Sequence, residues 1–220
     1  MPNPALKRTA APPLSFALGL STMALPALIS QAKDLTLWLH EHTNEKDVPK
    51  TIRATTGLAI FQLSMDIADA IVLLLGARLP GPALSLARPL FEGYVRGHWL
   101  LHWASDTEIE SFNNGICPKF PALLKAIGTD AESGGAWIHA NKAANMTAFH
   151  DLTHGGSEHV KRRITSTAIE PSYPEPELEG LVKFGIEVRI RIGAELLSLF
   201  GNEVAIEDLN HRALAFRASA

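Results

Sequence analysis

The sequence predicts an all-α fold, an antiparallel helical bundle with additional short helices. Apolar residues recur at steps of three and four through most of the chain, and alternating strand-like runs bounded by turn residues are nearly missing. Prolines at 80 and 82, and three more within 166–176, separate the periodic stretches. Over 220 residues, a 46% hydrophobic content is enough for one sizeable core or two small ones.

The elements follow in order. Residues 1–23 read as a leader outside the domain, disordered or preceding the true start. The apolar run 14–29 behind Lys7 and Arg8 also has the outline of a signal peptide. Against export, Pro26 interrupts that run and the chain continues into an amphipathic stretch, AKDLTLWLHEHT, so the domain is taken as 24–220 and the cytoplasm as its location, with secretion as the alternative. Helices are expected over 24–43, 49–78, 80–104, 106–113, 117–127, 133–153, 177–200 and 204–217. Pro80 and Pro82 end one long helix and open the next, so 49–78 and 80–104 should form an antiparallel hairpin. The 57–79 stretch is apolar enough to suggest a membrane span. It carries Asp66 and Asp69 in its middle, however, and each would cost about 2.5–3.5 kcal/mol at bilayer depth. It is read as a core helix, with no membrane partner. Arg189 and Arg191 of the last long helix are placed on its solvated flank.

Charge and cysteine content exclude several classes. With 20 Lys+Arg against 23 Asp+Glu and no long run of either sign, the chain has no global field for steering a polyanion, so an anion site must be local. Cys117 is the single cysteine, which rules out an intramolecular disulfide and any multi-cysteine metal site. No GxGxxG, GxxxxGK[ST] or G-x-S-x-G motif occurs. No cofactor and no metal are assigned.

Three clusters have chemical potential. In SLARPLFEGYVRGHWLLHW, Arg88, Glu92 and Arg96 recur at four-residue spacing on one helix face. One reading is a salt-bridge ladder that sets helix register. The other is an anion pocket, in which two planar guanidiniums oriented by a carboxylate receive a phosphate or carboxylate. Asp66 and Asp69, one turn apart, are expected to pair with Arg88 or Arg96. The segment NMTAFHDLTHGG places His150 and His154 four apart near a helix end at Gly155. It nearly spells H-E-x-x-H, but Asp151 is shorter than the glutamate that motif needs, and His159 and Ser157 do not fit its extension. His154 is read as a helix C-terminal imidazole, acting either as a cap or as a proton-transfer group. Lys161, Arg162 and Arg163 form a short basic cluster, ordinarily a solvated face and otherwise suited to holding a phosphate near His154.

The blocks AIVLLLGARLPGPALSLARPLFEGYVRGHWLL, LTHGG, VKRRIT and AIEPSYPEPEL, spread over about residues 55–200, resemble a bacterial family known as a domain of unknown function. More remotely they resemble the HEPN-like helical bundles of defence and toxin–antitoxin systems. That resemblance implies metal-independent RNA cleavage by an Arg and a His across a dimer interface. The R-x(4–6)-H motif of those ribonucleases is not met at His150 or His154, since no arginine stands four to six residues before either. The resemblance and the charge pattern select the same positions: His154 and Arg88 as catalytic candidates, and Glu92, Arg96, Arg162 and Arg163 as ligand-binding ones. The expected partners are RNA or another phosphate-bearing ligand and a second copy of the chain. The alternatives are a non-catalytic homodimeric interaction protein and, third, a histidine-based metal hydrolase.

Overall fold

The computed structural model describes residues 23–44, 46–130 and 134–219; the leader expected over residues 1–23 lies outside them except for Met23. Among the described residues every regular element is helical: α1 (Leu25–Thr43), α2 (Ile52–Gly76), α3 (Pro80–Ser85), α4 (Ala87–His102), α5 (Asp106–Asn113), α6 (Phe120–Ile127), α7 (Gly135–Thr153), α8 (Ser157–Lys161), α9 (Glu175–Leu199) and α10 (Glu203–Ser219). The all-α class is the observed one.

Local chemistry fixes the helix ends. The Thr51 hydroxyl accepts the Ala54 N–H at 3.2 Å to start α2, and Ser105 and Glu108 form a reciprocal capping box on α5. Pro26, which breaks the apolar run in the sequence, falls in the first turn of α1, where no amide donor is needed. Gly155 closes α7 with φ +69°, and the Gly156 N–H reaches back to the Asp151 carbonyl at 2.8 Å, the Schellman arrangement.

The expected helix 80–104 is divided. A tight turn at Leu86, with its N–H on the Ala83 carbonyl at 3.1 Å, separates α3 from α4. Pro89 is the cause: it has no N–H for the Ser85 carbonyl, and its ring crowds that same oxygen. Thr153 at the end of α7 occupies the freed acceptor. Its hydroxyl lies 3.3 Å from Ser85 O and 2.8 Å from Phe149 O, while the Ser85 hydroxyl donates to Leu152 O at 3.2 Å. The break therefore docks the end of α7 against the start of α4.

α2 packs chiefly on α4. Gly57 faces Leu101, Phe61 faces Gly97 and Ser64 faces Gly93, so numbers rise along one helix as they fall along the other and the pair is antiparallel. The approach is close: a Cβ on Gly97 would lie 2.5 Å from the Phe61 ring. Among the described helices only α2 is long and apolar enough to cross a membrane, and 33% of its most apolar stretch is buried within the protein.

α9 is the central helix, touching α1, α2, α4 and α10. Every residue from Leu181 to Ile190 is buried, charged ones included. This overturns the solvated-flank expectation: Arg189 is 1% exposed, and Arg191 lies over the Trp137 ring at 4.4 Å and pairs with Glu187 at 2.9 Å. A stretch covered on all sides, as 181–190 is, leaves Arg189 no solvated flank, and Arg191 just beyond it is half-buried. The partner expected for Asp69 also changes. Its carboxylate accepts from Arg189 at 2.6 Å and from the Thr36 hydroxyl at 2.9 Å, because α2 turns that residue toward α9 rather than α4. Asp66 lies in a separate cleft beside His40 and Phe200.

Candidate anion site

The row Arg88, Glu92, Arg96 is a ladder. Arg88 Nε donates to Glu92 Oε1 at 2.6 Å, and Arg96 Nη2 donates to Oε2 at 2.8 Å. One carboxylate thus orients two guanidiniums. Burial raises the Glu92 carboxyl, and the hydrogen bonds from Arg88 and Arg96 outweigh it, so the group stays ionised below the usual carboxylate value. For Arg96 the order is similar: burial lowers it, and Glu92, with a smaller contribution from Cys117, raises it above its ordinary value. The local sum is two positive charges against one negative.

The imidazoles come from α7. Arg88 Nη1 contacts His150 Nδ1 and lies 3.4 Å from His154 Nε2. A guanidinium only donates, so both ring nitrogens act as acceptors here and each neutral ring carries its proton on the other nitrogen. His154 is the C-cap residue of α7, its backbone N–H on the His150 carbonyl at 3.2 Å, while its side chain turns to Arg88. The cap bond is thus the backbone's, and the imidazole lines the cleft instead of the helix end.

A solvent-open cleft of about 400 Å³ joins these groups. Arg88, Glu92, Arg96, Thr153 and His154 form its polar side, and Ile60, Leu63 and Ile67 of α2 form an apolar wall opposite. Arg88 Nη2 makes no hydrogen bond among the described residues, and the Arg88 and Arg96 side chains are 25% and 29% exposed. A cleft with one apolar wall and one cationic wall suits an anion attached to a flat or apolar body.

Arg162 and Arg163 do not join this cleft. Arg162 is 3% exposed; its Nε and Nη2 grip both oxygens of buried Glu177 at 2.7 and 2.8 Å, and its Nη1 holds Glu158 at 2.6 Å. The ligand-facing expectation fails for it because two carboxylates already use its donors. Arg163 instead packs on Tyr173, with its Nε 3.3 Å from the phenol oxygen, and so pins the 164–174 strap to the body. His159, the third histidine of the near-motif, belongs to that strap as well: its Nε2 meets Leu152 O at 2.8 Å and the Ser85 hydroxyl at 3.0 Å.

The H-D-x-x-H spacing is likewise occupied by structure. Asp151 accepts the Glu158 backbone N–H at the start of α8, leaving it unsuited to act as a general base. Arg88 takes the position between His150 and His154 that a chelated cation would need. The involvement of His150 in the Arg88 contact is the feature that sequence spacing missed.

An all-α protein with a cationic, imidazole-flanked cleft is the class so defined. The chain belongs to a family of unknown function, DUF6988, whose model matches residues 61–219. No curated protein and no solved structure matches it.

Proposed function

We propose that the chain is a cytoplasmic, HEPN-like helical-bundle protein that binds a phosphate-bearing ligand, RNA in the leading reading, in the cleft between α2, α4 and the end of α7. The observation that carries the reading is the 3.4 Å approach of Arg88 Nη1 to His154 Nε2 at a solvent-open cleft. Arg88 Nη2 and Arg96 receive the phosphate oxygens, Glu92 holds both arginines in position, and the α2 wall takes a base or sugar face. The chemistry this arrangement favours is metal-independent phosphodiester cleavage. His154 Nε2 accepts the 2′-hydroxyl proton as that oxygen attacks phosphorus. The bond to the 5′-oxygen breaks and the departing oxygen takes a proton from solvent, while the guanidiniums stabilise the charge on the phosphorane.

The purified full chain incubated with single-stranded RNA, with and without EDTA, tests this. Cleavage that persists in EDTA and disappears in Arg88→Ala and His154→Ala supports it; cleavage that EDTA abolishes, or that both variants retain, rejects it.

A second, non-catalytic reading has its own support. Leu63 and Leu73 of α2 are 53% and 66% exposed on the most apolar helix of the chain, a face suited to a second copy. Light scattering on the wild type and on Leu63→Asp/Leu73→Asp separates the cases: a dimer that the double variant converts to monomer supports this reading, and a monomeric wild type excludes it.

A further inference from the structure

A second group of ionisable side chains lies toward the C-terminal end of α4, outside the anion cleft. His98 and His102 stand one turn apart, and Glu195 of α9 faces both. His98 Nδ1 lies 2.9 Å from Glu195 Oε1, and His102 Nε2 lies 2.9 Å from Oε2. One donor atom from each residue falls within 4.8 Å of the others, close enough to surround a single ion.

The surroundings hold the donors in place. His98 is 6% exposed, stacked on Tyr94 with centroids 5.7 Å apart and wedged against Trp103 at 4.8 Å. The turn at Gly134 closes over its other nitrogen, where a Cβ would lie 3.6 Å from Nε2. A buried ring fixed on three sides presents Nδ1 in one direction only. His102, by contrast, has a side chain 42% exposed, which leaves one side of the group open to water. Arg191, which shares the Gly134 turn with His98, is held by Glu187 at 2.9 Å and by the Trp137 ring.

The other histidine pair makes the contrast. His150 and His154 have the same spacing, but a guanidinium sits on their ring nitrogens. At His98 and His102 the facing group is a carboxylate. Positive charge is unfavourable at the first pair and favourable at the second.

We infer that His98, His102 and Glu195 form a binding site for one zinc-type divalent cation, with a fourth coordination position open to solvent. Two imidazoles and one carboxylate are the nitrogen and oxygen donors that zinc accepts, whereas calcium and magnesium favour all-oxygen sets. Without the ion, each ring donates an N–H to the carboxylate. With it, each neutral ring moves its proton to the other nitrogen and gives the lone pair to the metal. Three protein ligands with a fourth site for water is the arrangement that activates a metal-bound water.

The full chain, stripped with EDTA, dialysed and titrated with zinc chloride against a chromophoric chelator, tests the assignment. Cobalt chloride supplies a visible absorption band diagnostic of tetrahedral coordination. The wild type should bind a single ion and give that band. His102→Ala and Glu195→Gln should each weaken binding by about tenfold or more and abolish the band. The double variant His150→Ala/His154→Ala should bind as the wild type does. His102 is half-exposed, so its variant keeps the fold, as unchanged far-UV circular dichroism of the stripped proteins would show. Equal zinc binding by wild type and His102→Ala, or binding lost in the His150/His154 variant alone, overturns the assignment.

Discussion

Arg88 Nη1 stands 3.4 Å from His154 Nε2 although 66 positions separate them in the chain. Pro89 breaks the helix one residue beyond Arg88, and the hydroxyl of Thr153, immediately before His154, takes up the carbonyl that the break exposes. The residues that make the contact are thus neighbours of the residues that dock the two helices.

That coupling predicts the behaviour of Thr153→Val. Loss of the hydroxyl should cost about 1 kcal/mol of stability in urea unfolding. It should also weaken phosphate binding measured by calorimetry, because the end of α7 loses its register on α4. Thr153→Ser, which keeps the hydroxyl, should retain both.

How much of this was legible in the sequence depends on range. The α5 boundaries were readable because Ser105 and Glu108 are a local capping signal, and Arg88–Glu92–Arg96 was readable because helical spacing alone brings the three together. Pro89 was present in ARPLF and signals the break at 86, but the apolar period runs through it and hides the interruption. The Asp69–Arg189 pair spans 120 positions, and which arginine an aspartate meets is decided by helix packing that no local pattern encodes. Arg162 shows the same thing: a basic run looks solvated until Glu177, from another helix, reaches it in the interior. The approach of His98 and His102 to Glu195 was half legible. The i, i+4 histidines are visible in GHWLLHW, whereas their carboxylate lies 93 positions beyond His102.

Glu92 should govern part of the acid limb of the stability curve. Its folded-state value lies below the ordinary 4.5, so the stabilisation is fully present above that pH and is lost as pH falls through the lower folded value. Glu92→Gln removes this dependence. Urea midpoints measured from neutral to acid pH should show the variant less stable than wild type near neutrality, with the two curves converging at the acid end.

Arg162→Ala should act on stability and leave the anion cleft alone. The substitution strands the buried Glu177 carboxylate without its bidentate partner, at about 3–5 kcal/mol. Its urea midpoint should fall sharply, while phosphate affinity, measured under conditions where the variant remains folded, should match wild type. Reduced affinity in the folded variant would return Arg162 to the ligand-binding set.

Gly97→Val probes the close crossing of α2 and α4. The added side chain enters the space of the Phe61 ring, where even a Cβ would lie 2.5 Å away, and overpacking of this kind costs about 1–3 kcal/mol. Thermal unfolding should show the loss; an unchanged midpoint would mean that the two helices are further apart than described.

The most direct measurement is a nitrogen-15 NMR titration of the histidine side chains with inorganic phosphate and then with a short RNA. If Arg88, Arg96 and His154 form one anion site, the ring signals of His150 and His154 shift together and saturably while those of His40 and His211 stay fixed, and Arg88→Ala abolishes the shifts. Ring signals of His150 and His154 that do not move, or that move equally in Arg88→Ala, would contradict it.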